Sequence, residues 1–362
     1  MRNNAATSIG QLAWQKFKKN SLGVVAATFI IFVTLLAIFA YVLAPDNVAN
    51  ANQMHLAIHT KPPGFEVQML RIPIQNVAKK NSFKKFLFGD AVRFEELPIL
   101  SYETQGNSIA VIPYQGTKNA LVKSYSLSLW QDNKPIIKAR KFYLGTDKYG
   151  RDLLSRLLIG TRISLSIGFV AVFISLLIGL ILGAVAGYYG GKIDALIMWF
   201  INISWSIPTL LLVIAITLAL GKGFWQVFIA VGLTMWVDIA RMVRGQVMSV
   251  KKQQYVAAGE ALGFADFRII SKHILPNIMA PVIVMAAANF AAAILIESGL
   301  SFLGVGAQAP MPSWGGIIKD HYQYIILGKP YLAIIPGLAI MSLVMAFMLI
   351  GNALRDALDV KN

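Results

Sequence analysis

His55 and His59 stand four residues apart, a spacing that on a helix would turn both imidazoles to one face, as a metal ion requires. Pro62 and Pro63 follow closely and argue against a long helix there. No carboxylate or cysteine adjoins the pair to complete a ligand set, so two exposed polar residues are the expectation, not a metal site. Gly145 and Gly150 have the spacing that opens a phosphate loop, but Arg151-Asp152 stands where Lys-Ser/Thr belongs, and no strand-to-helix unit is predicted around it. Nucleotide binding is rejected on those grounds. The chain contains no cysteine, which removes disulfides, thiolate metal sites and cysteine nucleophiles. With no metal-protease motif and no serine in a nucleophile-elbow setting, the chain is expected to carry out no chemistry and to bind no cofactor itself. The remaining candidates are ionisable groups inside apolar sequence: Asp194, Asp238, Arg241, Arg244 and Glu297. Charge at membrane depth is costly and needs a partner or water, so each is a functional candidate by default.

What must position them is a membrane protein. Of 362 residues 56% are hydrophobic and 14% charged, and the mean hydropathy is +0.61. Six apolar runs are long enough to cross a hydrocarbon core as helices: about Leu22 to Leu43, Ile163 to Tyr188, Ile193 to Leu220, Phe224 to Val243, Ile278 to Ile296 and Tyr331 to Asn352. The first exceeds a secretory h-region and lacks a clean cleavage site, so it reads as an uncleaved anchor. Arg2, Lys16, Lys18 and Lys19 precede the first span; Arg241, Arg244, Lys251, Lys252, Arg268 and Lys272 surround the loop after the fourth; Arg355 and Lys361 follow the last. With six crossings these fall on one side, which places both termini and the 254–277 loop in the cytoplasm. A net charge of +16 invites a nucleic-acid reading. Much of it lies in these flanks, however, and neither zinc-finger spacing nor an RNA-binding aromatic motif accompanies it; lipid headgroups are the expected anionic partner.

The fold class expected is an all-α polytopic membrane protein of six transmembrane helices, with an extracytoplasmic α+β or mainly β domain inserted between helices 1 and 2. Residues 1–45 form a leading cytoplasmic helix and the first span, 46–141 the insertion, and 142–362 a five-helix core. Within the insertion, Ser108 to Tyr114 and Leu121 to Gln131 show partial strand alternation, and Val77 to Phe88 reads as a short basic helix. In the core, Gly183 and Gly187, with Ala184 and Ala186, allow close helix approach, and Pro208 frees a carbonyl and bends span three. Asp238 and Arg241, three apart, are placed to neutralise each other; Asp194 reads as solvated in a cytoplasmic turn.

Gln254 to Asn277, QYVAAGEALGFADFRIISKHILPN, is a polar interruption between two apolar segments. Good helix formers over Ala257, Ala258, Glu260, Ala261 and Leu262, then Gly263, then Phe264 to Ile274, predict two short helices with Gly263 at the corner and Pro276 closing the unit. Tyr255, Leu262, Phe264 and Phe267 form an apolar face among charges, a shape suited to a groove in another subunit.

This segment resembles the signature loop of permease subunits of ABC importers: a Glu-Ala-Ala triplet, a glycine, and a closing Ile-x-Leu-Pro. Ala258, Gly263, Leu275, Pro276 and Asn277 match; Ala257, Gly259 and His273 depart from it. A second match is Leu144, Gly145, Thr146, Asp147, Gly150, Arg151 and Asp152, similar to the element that opens the core of the peptide and nickel branch. It reads physically as a turn held at the headgroup level, followed by a helix with Arg156 and Arg162 snorkelling. Gly187-Tyr188-Tyr189-Gly190-Gly191, Ser206-Ile207-Pro208, Glu297 to Gly304 and Pro312-Ser313-Trp314-Gly315 resemble the same branch in order. Trp14, Phe17, Lys18, Lys19 and Asn20 resemble the leading helix of its C-type subunit.

The resemblance implies a permease subunit of an ATP-driven importer, most suited to di- or oligopeptides, in a bacterial inner membrane. Its implied partners are a homologous second permease, two ATP-binding cassette ATPase subunits that use ATP and magnesium, and an extracytoplasmic solute-binding protein. Contact with the ATPase is expected at Tyr255, Ala257, Ala258, Gly259, Glu260, Leu262, Gly263, Phe264, Phe267 and Pro276, and a substrate path at Pro208, Asp238 and Glu297. Glu297, expected at the extracytoplasmic mouth of span five, either meets an ammonium or caps the following loop. The rival readings are a secondary transporter, which calls for inverted halves that the sequence does not show, and a membrane-anchored receptor or scaffold working through its insertion.

Overall fold

The structure, a computed structural model, describes residues 9–75, 77, 80–114, 122–221 and 223–358. Arg2, Leu121, Lys361 and part of the segment 77–88 lie outside the described residues. In chain order the helices are α1 (Ile9–Lys19), α2 (Ser21–Ile38), α3 (Ala40–Leu43), α4 (Ser82–Phe88), α5 (Leu153–Tyr189), α6 (Gly191–Ser206), α7 (Thr209–Leu220) and α8 (Phe224–Lys251). They continue with α9 (Gln254–Ala261), α10 (Asp266–Arg268), α11 (Leu275–Leu303), α12 (Trp314–His321) and α13 (Tyr331–Leu358). Among the described residues, five helical runs are long and apolar enough to cross a membrane: α2, α5, α8, Asp266–Leu303 and α13. The count becomes six if α6 and α7, bent by 95° at their junction, serve as one span. The third expected span is therefore broken. Pro208 lacks an N–H and disfavours helix in the residue before it, and Ile207 takes extended angles.

The described residues form two compact units. The first holds Met1–Thr34, Ser164–Gln308 and Leu338–Asn362. In it the Asn20 side chain accepts from the Gly23 N–H at 2.9 Å and starts α2, while Phe17 is buried with Ala353 and Ala357. Gly179, Gly183 and Gly187 line one side of α5 at intervals of four. A Cβ added to them would lie 2.6 Å from Ile239, 2.5 Å from the Ala240 carbonyl and 2.7 Å from the Arg244 carbonyl. The absence of side chains on that stripe is what lets α8 come so near.

The second unit holds Leu35–Ile163 and Ala309–Gly337. A five-stranded antiparallel sheet lies here, with β1 (Phe65–Pro73), β2 (Phe94–Gln105), β3 (Ser108–Pro113), β4 (Lys123–Ser126) and β5 (Ile136–Phe142) in the order β4-β3-β2-β1-β5. Gly106-Asn107 makes the two-residue turn between β2 and β3, and alternation along β3 buries Ile109 and Val111. They join Leu70, Ile99, Leu127 and Trp130 in the core. The Trp130 indole N–H is satisfied by the Arg71 carbonyl at 2.6 Å. Strands β1, β2 and β5 were not expected. Pro98 obscures β2, and the chain accommodates it with a register shift between Ile99 and Ser101. Among the described residues of 77–88, the predicted basic helix is α4.

Candidate functional site

The 254–277 segment turns where its sequence says it should, but continues differently. After α9, the Gly263 N–H donates to the Glu260 carbonyl and the Phe264 N–H to the Gly259 carbonyl, with Gly263 at φ +75°. This is the Schellman arrangement, which asks for glycine at that position. Beyond it α10 leads into a π-helical stretch, Ile269–Ile274, and then α11. Pro276 does not close the unit as predicted. It sits in the first turn of α11, where a missing N–H is tolerated.

The segment is built in two layers. Val256, Gly259, Ile269 and Ile274 are buried, packed with Tyr188, Val243 and Val247. Phe264 turns partly inward, close to Gly259 and stacked on His273, with the Arg268 guanidinium over its ring. The expected apolar face therefore loses Phe264. Tyr255, Leu262 and Phe267 remain on the surface, 45%, 73% and 80% exposed, beside Ala257, Ala258 and Glu260. The Tyr188 hydroxyl donates to Asp266 at 2.9 Å, and the Lys251 ammonium to the Tyr188 carbonyl at 2.7 Å. The turn Gly190-Gly191, both at positive φ, thus leaves α5 fastened to the segment's second helix.

The intramembrane charges are partnered otherwise than expected. Asp194 is not a solvated turn residue: Arg244 holds it through two hydrogen bonds, one of 2.6 Å. Asp238 and Arg241 do not pair with each other. Trp205, at the end of α6, donates its indole N–H to Asp238 at 3.0 Å, while the Arg241 guanidinium lies over the same ring at 4.2 Å. Thr209, next to Pro208, lines a recess of about 200 Å³ with Asp238 and Asn289. Glu297 is not at an open mouth but fully buried; Ser301 donates to it at 2.7 Å and accepts from the Ala307 N–H, which fixes the loop after α11.

The Leu144-to-Asp152 motif also departs from its expectation. Asp147 is fully buried, accepts from the N–H groups of Tyr149 and Arg151 at 2.8 and 2.9 Å, and is paired with the Arg151 guanidinium. A strand, β5, does precede the Gly145–Gly150 loop, and α5 follows it. The loop holds no room for phosphate, because a Cβ on Gly145 or Gly150 would strike the Lys61 or His55 carbonyl. Arg156 is buried and Arg162 donates to the Leu87 carbonyl at 2.9 Å, so neither snorkels. His55 is buried and His59 exposed, on either side of a 3-10 turn, and no cluster of metal-ligating residues occurs among the described residues. Burial, aided by nearby Arg140, lowers the His55 pKa to about 4; burial raises that of Asp46 to about 6, against the same arginine.

A model of the family described as binding-protein-dependent transport system inner membrane component matches residues 179–361, and one described as the N-terminal TM domain of oligopeptide transport permease C matches residues 8–63. The dipeptide transport system permease protein DppC of Alkalihalophilus pseudofirmus is 44% identical over 219 residues, 60% of this chain and 72% of that protein. The oligopeptide transport system permease protein OppC of Escherichia coli is 43% identical over 220 residues, 61% of this chain and 72% of that protein. A chain of the MetNI methionine ABC transporter, solved in inward-facing conformations, aligns with a TM-score of 0.47 at 22% identity, over 56% of this chain and 96% of that one. With the family model matching residues 179–361, the 254–277 segment included, the chain belongs to the family of binding-protein-dependent transport system inner membrane components, among the C-type permeases of peptide systems.

Proposed function

We infer that this chain is the C-type permease subunit of an ATP-driven ABC importer that moves di- or oligopeptides across a bacterial inner membrane. The observation that carries the reading is the 254–277 segment, which presents exposed Tyr255, Leu262 and Phe267 on a rigid base inside the region matched by the family model. In this reading the chain pairs with a homologous second permease above two ATPase subunits. These hold the ATP and magnesium, and a solute-binding protein delivers cargo from outside. Both termini and the segment face the cytoplasm. Residues 1–45, 46–141 and 142–362 act as leading helix with first span, extracytoplasmic insertion and transport core.

The ATPase groove receives Tyr255, Leu262 and Phe267, flanked by Ala257, Ala258 and Glu260, while Gly259, Gly263, Phe264 and Pro276 set the angle from beneath. When the ATPases close on ATP they move this face, and the Tyr188–Asp266 bond carries the displacement into α5. Each state of the path is favoured by its own contacts. Within the path Pro208 supplies the bend and Asp238 a polar wall, while Glu297 steadies the adjoining loop. Mass spectrometry of what co-purifies with the chain in mild detergent tests the reading. A second permease and ATPase subunits are expected, with the ATPases lost on Gly263→Asp; a lone chain from several gentle detergents would overturn it.

A further inference from the structure

Asp238 lies near the midpoint of α8 and Asn289 near that of α11. A helix midpoint is where an uncompensated charge is most costly in a bilayer. Asp238 and Arg241 are nevertheless both exposed on the first unit, and Trp205 between them is 56% exposed. A lipid-facing position for these groups is untenable, so the surface they form faces water or another polar molecule.

Three polar functions there are unspent. Asp238 accepts from Trp205 through Oδ1, and Oδ2 carries no hydrogen bond among the described residues. The Arg241 guanidinium rests on the Trp205 ring and donates to no acceptor among them. Asn289 is 7% exposed, and its carboxamide nitrogen is without a hydrogen-bond partner although it lines the recess with Asp238, Ser204 and Thr234. A buried amide donor left unsatisfied is expensive unless a ligand meets it. A second recess, of about 370 Å³, adjoins on the Arg241 side and shares Trp205 and Asp238 with the first. The break between α6 and α7 opens directly beside both.

We propose that Asp238, Arg241 and Asn289, grouped around Trp205, form a transient subsite for the main chain of a peptide in transit. The Asp238 carboxylate takes the terminal ammonium, and the Arg241 guanidinium and Asn289 carboxamide donate to main-chain carbonyl oxygens. Every peptide carries these groups, so the subsite reads the class of solute and ignores its side chains, which the Trp205 face and the walls of Met242 and Met285 receive without polar demands. The inference rests on the importer reading given above. The competing role for the same charges, pairing with the second permease, is an outcome of the test.

The test uses the whole complex, with its binding protein, in proteoliposomes loaded with ATP. Uptake of one peptide is compared with that of its N-acetylated form, for the parent chain and for Asp238→Asn. Selection by the binding protein is common to both chains and cancels in the ratio of ratios. Asp238→Asn is expected to reduce the preference for the free amine by roughly tenfold, the weight of one charge-assisted hydrogen bond, and Asp238→Glu to restore part of it. Asn289→Leu is expected to slow both peptides alike, with ATPase stimulation by the loaded binding protein retained. An unchanged double ratio while both peptides are transported overturns the subsite. So does loss of the second permease from the purified Asp238→Asn complex, which would assign these charges to the subunit interface. A parent complex that hydrolyses ATP and moves no peptide overturns instead the importer reading on which the subsite depends.

Discussion

The hydroxyl of Tyr188, in the last turn of α5, donates to the carboxylate of Asp266, the first residue of α10, across 78 positions of sequence. A helix of the core and the helix that follows the Gly263 turn are thereby joined by a hydrogen bond over a shared apolar base. Tyr188→Phe removes the bond and keeps the ring. The expected loss is about 1 kcal/mol of coupling, seen as a several-fold fall in peptide taken up per ATP hydrolysed while hydrolysis itself continues.

Gly263 gives a sharper contrast. At φ +75° most side chains are strained by about 1–2 kcal/mol, and asparagine is the least penalised. Gly263→Asn should keep the ATPase subunits attached through purification. Gly263→Asp and Gly263→Val should lose them without reducing the amount of chain inserted in the membrane.

The glycine stripe of α5 predicts a graded series. Gly183→Ala brings a methyl group within 2.5 Å of the Ala240 carbonyl and should lower the melting temperature in detergent, and Gly183→Val should lower it further. Overpacking of this kind costs about 1–3 kcal/mol. Gly245, with nothing within 4 Å of its added Cβ, should tolerate Ala.

Two buried groups of the second unit titrate in opposition. His55, with its pKa lowered to about 4, stays neutral in the fold while the unfolded chain takes up a proton near 6.5, so its contribution to stability is lost as pH falls between those values. Asp46, raised to about 6 from 3.8, binds its proton earlier in the fold, so acidification over 6 to 3.8 stabilises. Each shift is worth roughly 3 kcal/mol, and the two nearly cancel. Protection of the β1 and β2 amides against hydrogen exchange, corrected for the intrinsic rate at each pH, should change little between pH 7 and 4.5 in the intact chain. In Asp46→Asn that protection should fall on acidification, and in His55→Gln it should rise.

The membrane core was legible because long apolar runs leave helices little alternative, and the Gly263 turn because few residues other than glycine suit it. Pro276 is ambiguous in sequence: a proline ends one helix and begins another equally well, and only the preceding π stretch decides which. Nothing in the sequence marks Trp205, because its partner Asp238 is 33 residues away, too far for any helical spacing to connect them. Asp147, Arg151 and Arg156 look like surface charges in sequence; their burial follows from mutual pairing that only the folded chain displays. The sheet was half visible, since β3 alternates cleanly while Pro98 and the lysines of β5 interrupt the pattern of the others.

The π stretch Ile269–Ile274 has a mechanical consequence. Its backbone bonds skip one residue more than those of α11, into which it runs, so each carbonyl has a second donor waiting one position away. Shifting by that single step would rotate everything on the Gly263 side about the helix axis and alter its height above Leu275, with no bond of the chain broken. The segment thus holds two bonding registers within reach of each other between the Gly263 turn and α11.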